Sequence, residues 1–306
     1  MNRTDRPREF LARPVSDGRH RLAEGPVWDA PRGRVLWVDI DAGEVFEGRY
    51  ADGRLTTTRS HRFDGTVGAV VSAADGELLV AAGDRLVVID DSGKRRQLGE
   101  RLIPSGATPR LNDGKCDPAG RFLVGSLAID ETGDGREELW RREFDGSVTV
   151  LDDDLELSNG LAWSVDGSLF YSIDTTPGIV WVRAYNPVSG QVGNREVHLR
   201  IGDGSPDGMC LDSAGNLWIA IWGGGQVRCF SPAGEVLATV RVPARNTTSV
   251  AFIGAELDTL LITTAHSVDP DSEDPDSGRL FTADVGVRGQ PVTPWQNRPT
   301  GGGAES

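Results

Sequence analysis

The chain has 306 residues, with 46 acidic against 32 basic side chains and a net charge of −14; such a surface repels a phosphate backbone and argues against nucleic-acid binding. Hydrophobic residues make up 38%, ordinary for a globular protein, while 39 glycines and 17 prolines call for many turns and few long helices. The three cysteines, Cys116, Cys210 and Cys229, are too few and too far apart for a disulfide framework or a zinc motif, and each lies in an apolar run where cysteine acts as a small hydrophobe.

The N-terminal stretch MNRTDRPREFLARP is polar and lacks the apolar core of a signal peptide. No run along the chain is long enough to cross a bilayer. A cytoplasmic protein without a membrane partner is therefore expected. From Glu24 onward the chain repeats. Six short runs align: EGPVWD ending at Asp29, VGAVVS at Ser72, NDGKCD at Asp117, NGLAWS at Ser164, DGMCLD at Asp212 and a degenerate TSVAFI at Ile253. In five copies a glycine turn and a second apolar run follow, at 35–38, 78–81, 122–124, 169–171 and 217–221; the sixth, at 260–263, follows Asp258 instead. A third run in each copy (GEVFEGR, DRLVVID, EELWRRE, GIVWVRAY, GQVRCFS, GRLFTAD) alternates apolar and polar residues, the period of a half-buried strand. A weaker fourth run follows, such as LTTTRS from Leu55.

The first aligned positions are Glu24, Val67, Asn112, Asn159, Asp207 and Thr248, spaced by 41 to 48 residues. Four strands at that period are the mark of propeller blades. Helical periodicity is missing, and a sandwich would not repeat so regularly. The expected fold is all-β: one six-bladed β-propeller of four-stranded antiparallel blades around a central channel, spanning 1–295, with 296–306 a disordered tail. The segment before Glu24 is expected to add a strand to the last blade and close the ring, since an open ring leaves unpaired edges.

First strands line a propeller's channel, so equivalent positions converge on its axis. Four of the six are Glu24, Asn112, Asn159 and Asp207. Two carboxylates and two carboxamides are costly to bury unless something satisfies them. A bound cation does so economically. All-oxygen donors favour a hard divalent ion such as Ca²⁺, Mg²⁺ or Mn²⁺; Zn²⁺ and Fe(II) stay open, because the sequence does not identify the metal. The competing reading is ordered water in the channel, or caps on neighbouring strands.

The runs EGPVWD from Glu24, RLNDGKCDPAGR from Arg110, SNGLAWSVDG from Ser158 and PDGMCLDSAGNLW from Pro206 resemble the motifs of the SMP-30/gluconolactonase/regucalcin-like (LRE-like) family, in order, from Leu22 to about Val287. The resemblance implies a six-bladed propeller that uses one divalent metal at the channel mouth to open a sugar lactone, an aldonolactone, to the aldonic acid. It implies Glu24, Asn159 and Asp207 as metal ligands and Arg110 and Asn112 as contacts to the sugar. Asp207 is then the candidate general base or orienting group for water. Family members often carry a substrate-contacting glutamate after the third blade's second strand. Here the nearest acids are Asp130 and Glu131, which puts the sugar specificity in question.

Other clusters carry less. Asp269, Asp271, Glu273, Asp274 and Asp276 lack the spacing of an EF-hand and include prolines, so a solvated rim loop is expected. His20, His61, His198 and His266 show no i, i+4 zinc pairing, and no GxSxG elbow, P-loop or strand-linked GxGxxG occurs. Asp174 is either a support for the metal shell or a turn residue. Alternative functions are hydrolysis of other esters or organophosphates at the same mouth, and a non-catalytic calcium-binding propeller. The expected partner is a small-molecule sugar lactone, and the expected state a monomer or small homo-oligomer.

Overall fold

Six antiparallel sheets surround a channel in the structure, a computed structural model that describes residues 6–103, 109–128, 137–266 and 274–296. Their inner strands are Ala23–Asp29, Val67–Ser72, Pro109–Cys116, Ser158–Trp163, Ser205–Leu211 and Thr247–Ile253, for blades 1 to 6 in chain order. Each blade then steps outward strand by strand, as the four-run repeat predicts. The short Ala30–Arg32 turn is 3₁₀. Among the described residues no helix is long and apolar enough to cross a membrane.

Burial follows from position in the blade. The inner strands Val67–Ser72, Ser158–Trp163 and Thr247–Ile253 are buried throughout. The outermost strands Arg54–Arg62 and Arg95–Arg101 are mostly exposed, and alternation shows in third strands such as Arg85–Ile89 and Gln226–Phe230. The apolar core is divided among the seams between blades. Leu36, Val38 and Val80 pack between blades 1 and 2, Leu123, Leu161 and Phe170 between blades 3 and 4, and Val227, Phe252 and Phe281 between blades 5 and 6. No blade buries its faces alone, which is why the ring must close.

Closure uses both ends of the chain. Arg13–Pro14 pairs antiparallel with Phe281–Asp284 and becomes the outer strand of blade 6, the closure expected from sequence. Just before it, Arg8–Leu11 lies parallel to Val236–Arg241 and gives blade 5 a fifth strand. This second pairing had no signal in REFL, because a four-residue edge strand needs a partner before it has a pattern. The N-terminal segment thus spans the seam between blades 5 and 6.

The C-terminal segment crosses the far mouth of the channel. Gly289 bridges Asp212 in blade 5, and Gln290 N–H donates to Leu211 O (3.4 Å). Farther on, Trp295 N–H donates to Ser72 O in blade 2 (2.8 Å) and Gln296 N–H to Gly120 O in blade 3 (2.9 Å). Trp295 is buried with Ala73 and Phe122 between those two blades. Gln296 is the last described residue, so the tail expected from 296 onward lies otherwise outside the described residues.

Two of the acids that end the inner runs, Asp117 and Asp212, are turn residues, whereas Asp29 pairs with Arg32 and Arg34. Asp212 Oδ1 accepts from the N–H groups of Ala214 (2.9 Å) and Asn216 (3.0 Å), and Oδ2 accepts from Trp218 Nε1 (3.1 Å). Asp117 does the same for Ala119 and Arg121.

Candidate active site

The pairing of inner to second strand is irregular at one level in all six blades: at Glu24/Val27, Val67/Ala69, Leu111/Gly114, Asn159/Leu161, Pro206/Met209 and Thr247/Val250. A bulge turns a strand residue away from its ordinary face. Six at one level gather the first residues of the repeat at one end of the channel.

Three of the four glycines that follow the aligned residue have a packing cause; the fourth, Gly25, stands in open space with a φ of +51°. A Cβ on Gly68 would lie 2.4 Å from Leu111 O and 2.5 Å from Asn112 O; one on Gly160, 2.6 Å from Asp207 O; one on Gly208, 2.1 Å from Ser249 Oγ. Neighbouring inner strands touch here, and a side chain would push them apart. Gly68→Ala is expected to destabilise the protein by about 1–3 kcal/mol, the usual cost of overpacking, measured as a lower urea midpoint at unchanged slope. An unchanged midpoint would show that the hub can widen freely.

Asn112 links blades 3 and 4. Its Nδ2 donates to Ser158 O (2.8 Å) and to Asn159 Oδ1 (3.2 Å), while its Oδ1 accepts from Arg110 Nη1 (2.7 Å). Asn159 Nδ2 donates to Thr175 Oγ1 (3.0 Å), whose hydroxyl donates to Pro206 O (2.7 Å). That chain fixes the Asn159 amide against the strand that carries Asp207, while its Oδ1 accepts from Asn112 Nδ2. Thr248 in blade 6 donates to Ala23 O (2.6 Å) and pairs with Thr263. Val67 is buried and apolar.

Burial dominates the electrostatics. Glu24 is pushed up to about 8, first by desolvation and then by the charge of Asp113; Gly25 N–H and the Arg110 charge hold it back. Asp207 is raised well above the usual carboxylate range by desolvation, then by Glu24 and Asp113. Its Oδ1 is buried and has no hydrogen-bond partner among the described residues. Arg110 is lowered by desolvation against the charges of Asp41, Glu24 and Asp207. Its Nη1 is engaged with Leu111 O and Asn112 Oδ1, and it forms no ion pair among the described residues. Lys115 Nζ reaches across the channel to Met209 O (2.8 Å).

Sequence reasoning missed Asp113. It occupies the place that holds glycine after Glu24, Val67, Asn159 and Asp207, and it is a third buried carboxylate within electrostatic reach of Glu24 and Asp207. Its signal was the broken residue–glycine pattern of blade 3. Asp41, facing Arg110 from the blade 1 rim, was also missed.

Other candidates separate. Asp174 Oδ1 accepts from the N–H groups of Glu156 (3.1 Å) and Leu157 (3.0 Å), so it caps a loop. His266 is exposed, and its Nδ1 meets Ser277 Oγ (3.1 Å). Asp130, Glu131, Asp269, Asp271 and Glu273 lie outside the described residues, whereas Asp274 accepts from Arg245 N–H (2.7 Å).

Glu24, Asn159 and Asp207 thus carry oxygen atoms from three inner strands, with the charges of Asp113 and Arg110 acting on the two carboxylates and Asn112 bonded to Asn159 and Arg110. The description of the SMP-30/Gluconolactonase/LRE-like region matches residues 22–266. Similar proteins include the pentonolactonase XacC of Haloferax volcanii, 35% identical over 90% of this chain and 95% of its own. The 6-deoxy-6-sulfogluconolactonase of Pseudomonas putida is 36% identical over 88% of this chain and 92% of its own. Among solved structures, a calcium-binding protein, regucalcin, of Agrobacterium tumefaciens superposes with a TM-score of 0.87 at 27% identity, over 94% of this chain and 98% of its own.

Proposed function

The chain belongs to the SMP-30/gluconolactonase/LRE-like family, and from that premise we propose that it hydrolyses a sugar lactone to the aldonic acid, with one divalent cation held by Glu24, Asn159 and Asp207 and the sugar held by Arg110 and Asn112. The observation that carries this reading is Asp207 Oδ1, a buried carboxylate oxygen without a partner among the described residues, beside a second buried carboxylate pushed up to about 8. Desolvated acids that raise one another are relieved by a cation, and this donor set fits a hard one. The lactonase relatives support the substrate class, and the calcium-binding relative supports the metal.

When bound, such an ion supplies Lewis-acid polarisation of the carbonyl and makes a nearby water more acidic. The chain's residues do the rest. Asp207 accepts a proton from the attacking water as the water oxygen adds to the carbonyl carbon. The ring C–O bond then breaks, the proton passes to the departing ring oxygen, and the open hydroxy acid results. Arg110 has the fork geometry for vicinal hydroxyls or the new carboxylate. Asn112, held on both amide atoms, presents a fixed edge to the sugar.

The test is pH-stat hydrolysis of five- and six-carbon aldonolactones by chelated protein, then with single metals restored. Turnover that returns only with metal is expected; none on any lactone with any metal overturns the reading. Glu24→Gln is expected to weaken metal binding about tenfold or more, as loss of metal-site partners does, read by calorimetric titration with Ca²⁺ or Mn²⁺. Equal affinity would remove Glu24 from the ligand set. A second reading, favoured by the calcium-binding relative, is a metal-binding propeller without turnover. The same panel separates the two.

A further inference from the structure

The inner strands all run in one direction, so the acidic residues at their starts and the residues at their ends occupy opposite mouths of the channel. At the far mouth the strand ends of blades 3, 4 and 5 and the C-terminal segment 290–293 enclose a cavity of about 410 Å³, within the range that holds small organic ligands. Its walls are mainly apolar, with Ala162, Val165, Leu211, Pro291 and Val292 among them. Lys115 is the one basic residue of the lining. In a chain with 46 acids against 32 bases, it forms no ion pair among the described residues. Its single hydrogen bond there runs to the Met209 carbonyl, which leaves ammonium donors uncommitted.

The other polar groups of the wall narrow the ligand. Cys210 lines the cavity, but burial pushes its thiol up to about 12, so it supplies no thiolate for a metal or a covalent adduct. Asp166 is turned to Ser164 and Ser168, whose hydroxyls donate to its Oδ1 (2.7 and 2.8 Å). Gln290 Nε2 is engaged with Asp212 O (3.0 Å). Trp163 lines the same wall with its ring alone, since its indole N–H is buried away from the cavity surface.

We propose that the far mouth is a second small-molecule site, which takes a small organic carboxylate with an apolar body, its carboxylate on Lys115 and its body against the apolar wall beneath the C-terminal segment. A polyhydroxylated sugar acid does not fit that description, because its hydroxyls would face the apolar wall without partners. The cavity lies at the opposite mouth from the lactone site, although the Lys115 charge also acts on Asp113, and the proposal does not depend on the lactonase reading.

The probe is 4-fluorobenzoate, followed by fluorine NMR on the metal-free full chain. Saturable binding with a Kd of about 10 mM or tighter is expected. Lys115→Met is expected to weaken it at least about tenfold, the effect of removing a charged hydrogen-bond partner. Val292→Trp, which fills the cavity from the segment side and leaves Lys115 in place, is expected to weaken it as much while keeping the far-UV spectrum of the folded chain. Arg110→Met, at the opposite mouth, is expected to leave it unchanged. No saturable binding, equal binding by Lys115→Met and Val292→Trp, or loss in Arg110→Met would each overturn the proposal.

Discussion

Asp207→Ala is expected to lower kcat/KM for lactone hydrolysis by about 10³-fold or more while leaving the metal-free protein at least as stable as the wild type. The rate loss follows from asking one carboxylate both to hold the cation and to accept a proton. Positioned proton transfer alone contributes about 10²–10⁴-fold, and a thousandfold is about 4 kcal/mol of barrier. The stability half has a separate cause. Desolvation, then Glu24 and Asp113, raise Asp207 well above the ordinary carboxylate range, so alanine removes a buried acid whose Oδ1 has no partner among the described residues. Steady-state rates with saturating metal and urea midpoints after chelation measure the two halves. A retained rate would remove Asp207 from the mechanism. A large loss of metal-free stability would make it a structural residue instead. Asp207→Asn sharpens the distinction, since it keeps the shape and one oxygen donor but loses the proton acceptor. It should bind metal more weakly and turn over no lactone.

Trp295→Ala is expected to cost about 3–5 kcal/mol, the usual range for a large aromatic removed from a packed seam. Trp295 is 3% exposed and anchors the far-mouth crossing between blades 2 and 3, where its N–H also meets Ser72 O. The crossing joins blade 5 to blades on the other side of the ring, so its loss should loosen more than one seam. A lower urea midpoint checks the first half, and faster limited proteolysis after residue 286 checks the second. A midpoint shift under about 1 kcal/mol would mean that the segment lies on the ring without holding it.

Much of the architecture was legible because a blade is a unit that repeats its burial pattern. The inner run is buried on both faces, the third run alternates and the fourth is exposed, so the same three textures recur every 41 to 48 residues. Glu24, Asn112, Asn159 and Asp207 stood out because polar residues at a repeat phase that lines the channel are costly; only the family resemblance set Asn112 apart from the other three. Asp113 did not stand out. In a regular strand it would face away from Asn112, and only the bulge at Leu111/Gly114 brings it within reach of Glu24 and Asp207. The parallel strand Arg8–Leu11 was equally silent, since the edge of blade 5 that it pairs with is more than 200 residues away.

By itself the sequence determined the number of blades, the direction of every inner strand and which residue types meet at the channel mouth, because those follow from periodicity and from the cost of burying polar groups. Tertiary structure alone decided which oxygen is left without a partner, how the Asn159 amide is turned and what closes the far mouth. Those depend on contacts between residues far apart in the chain: Thr175 to Pro206, Lys115 to Met209, Trp295 to Ser72. A repeat pattern has no term for such contacts, since each joins different copies of the repeat or lies outside it.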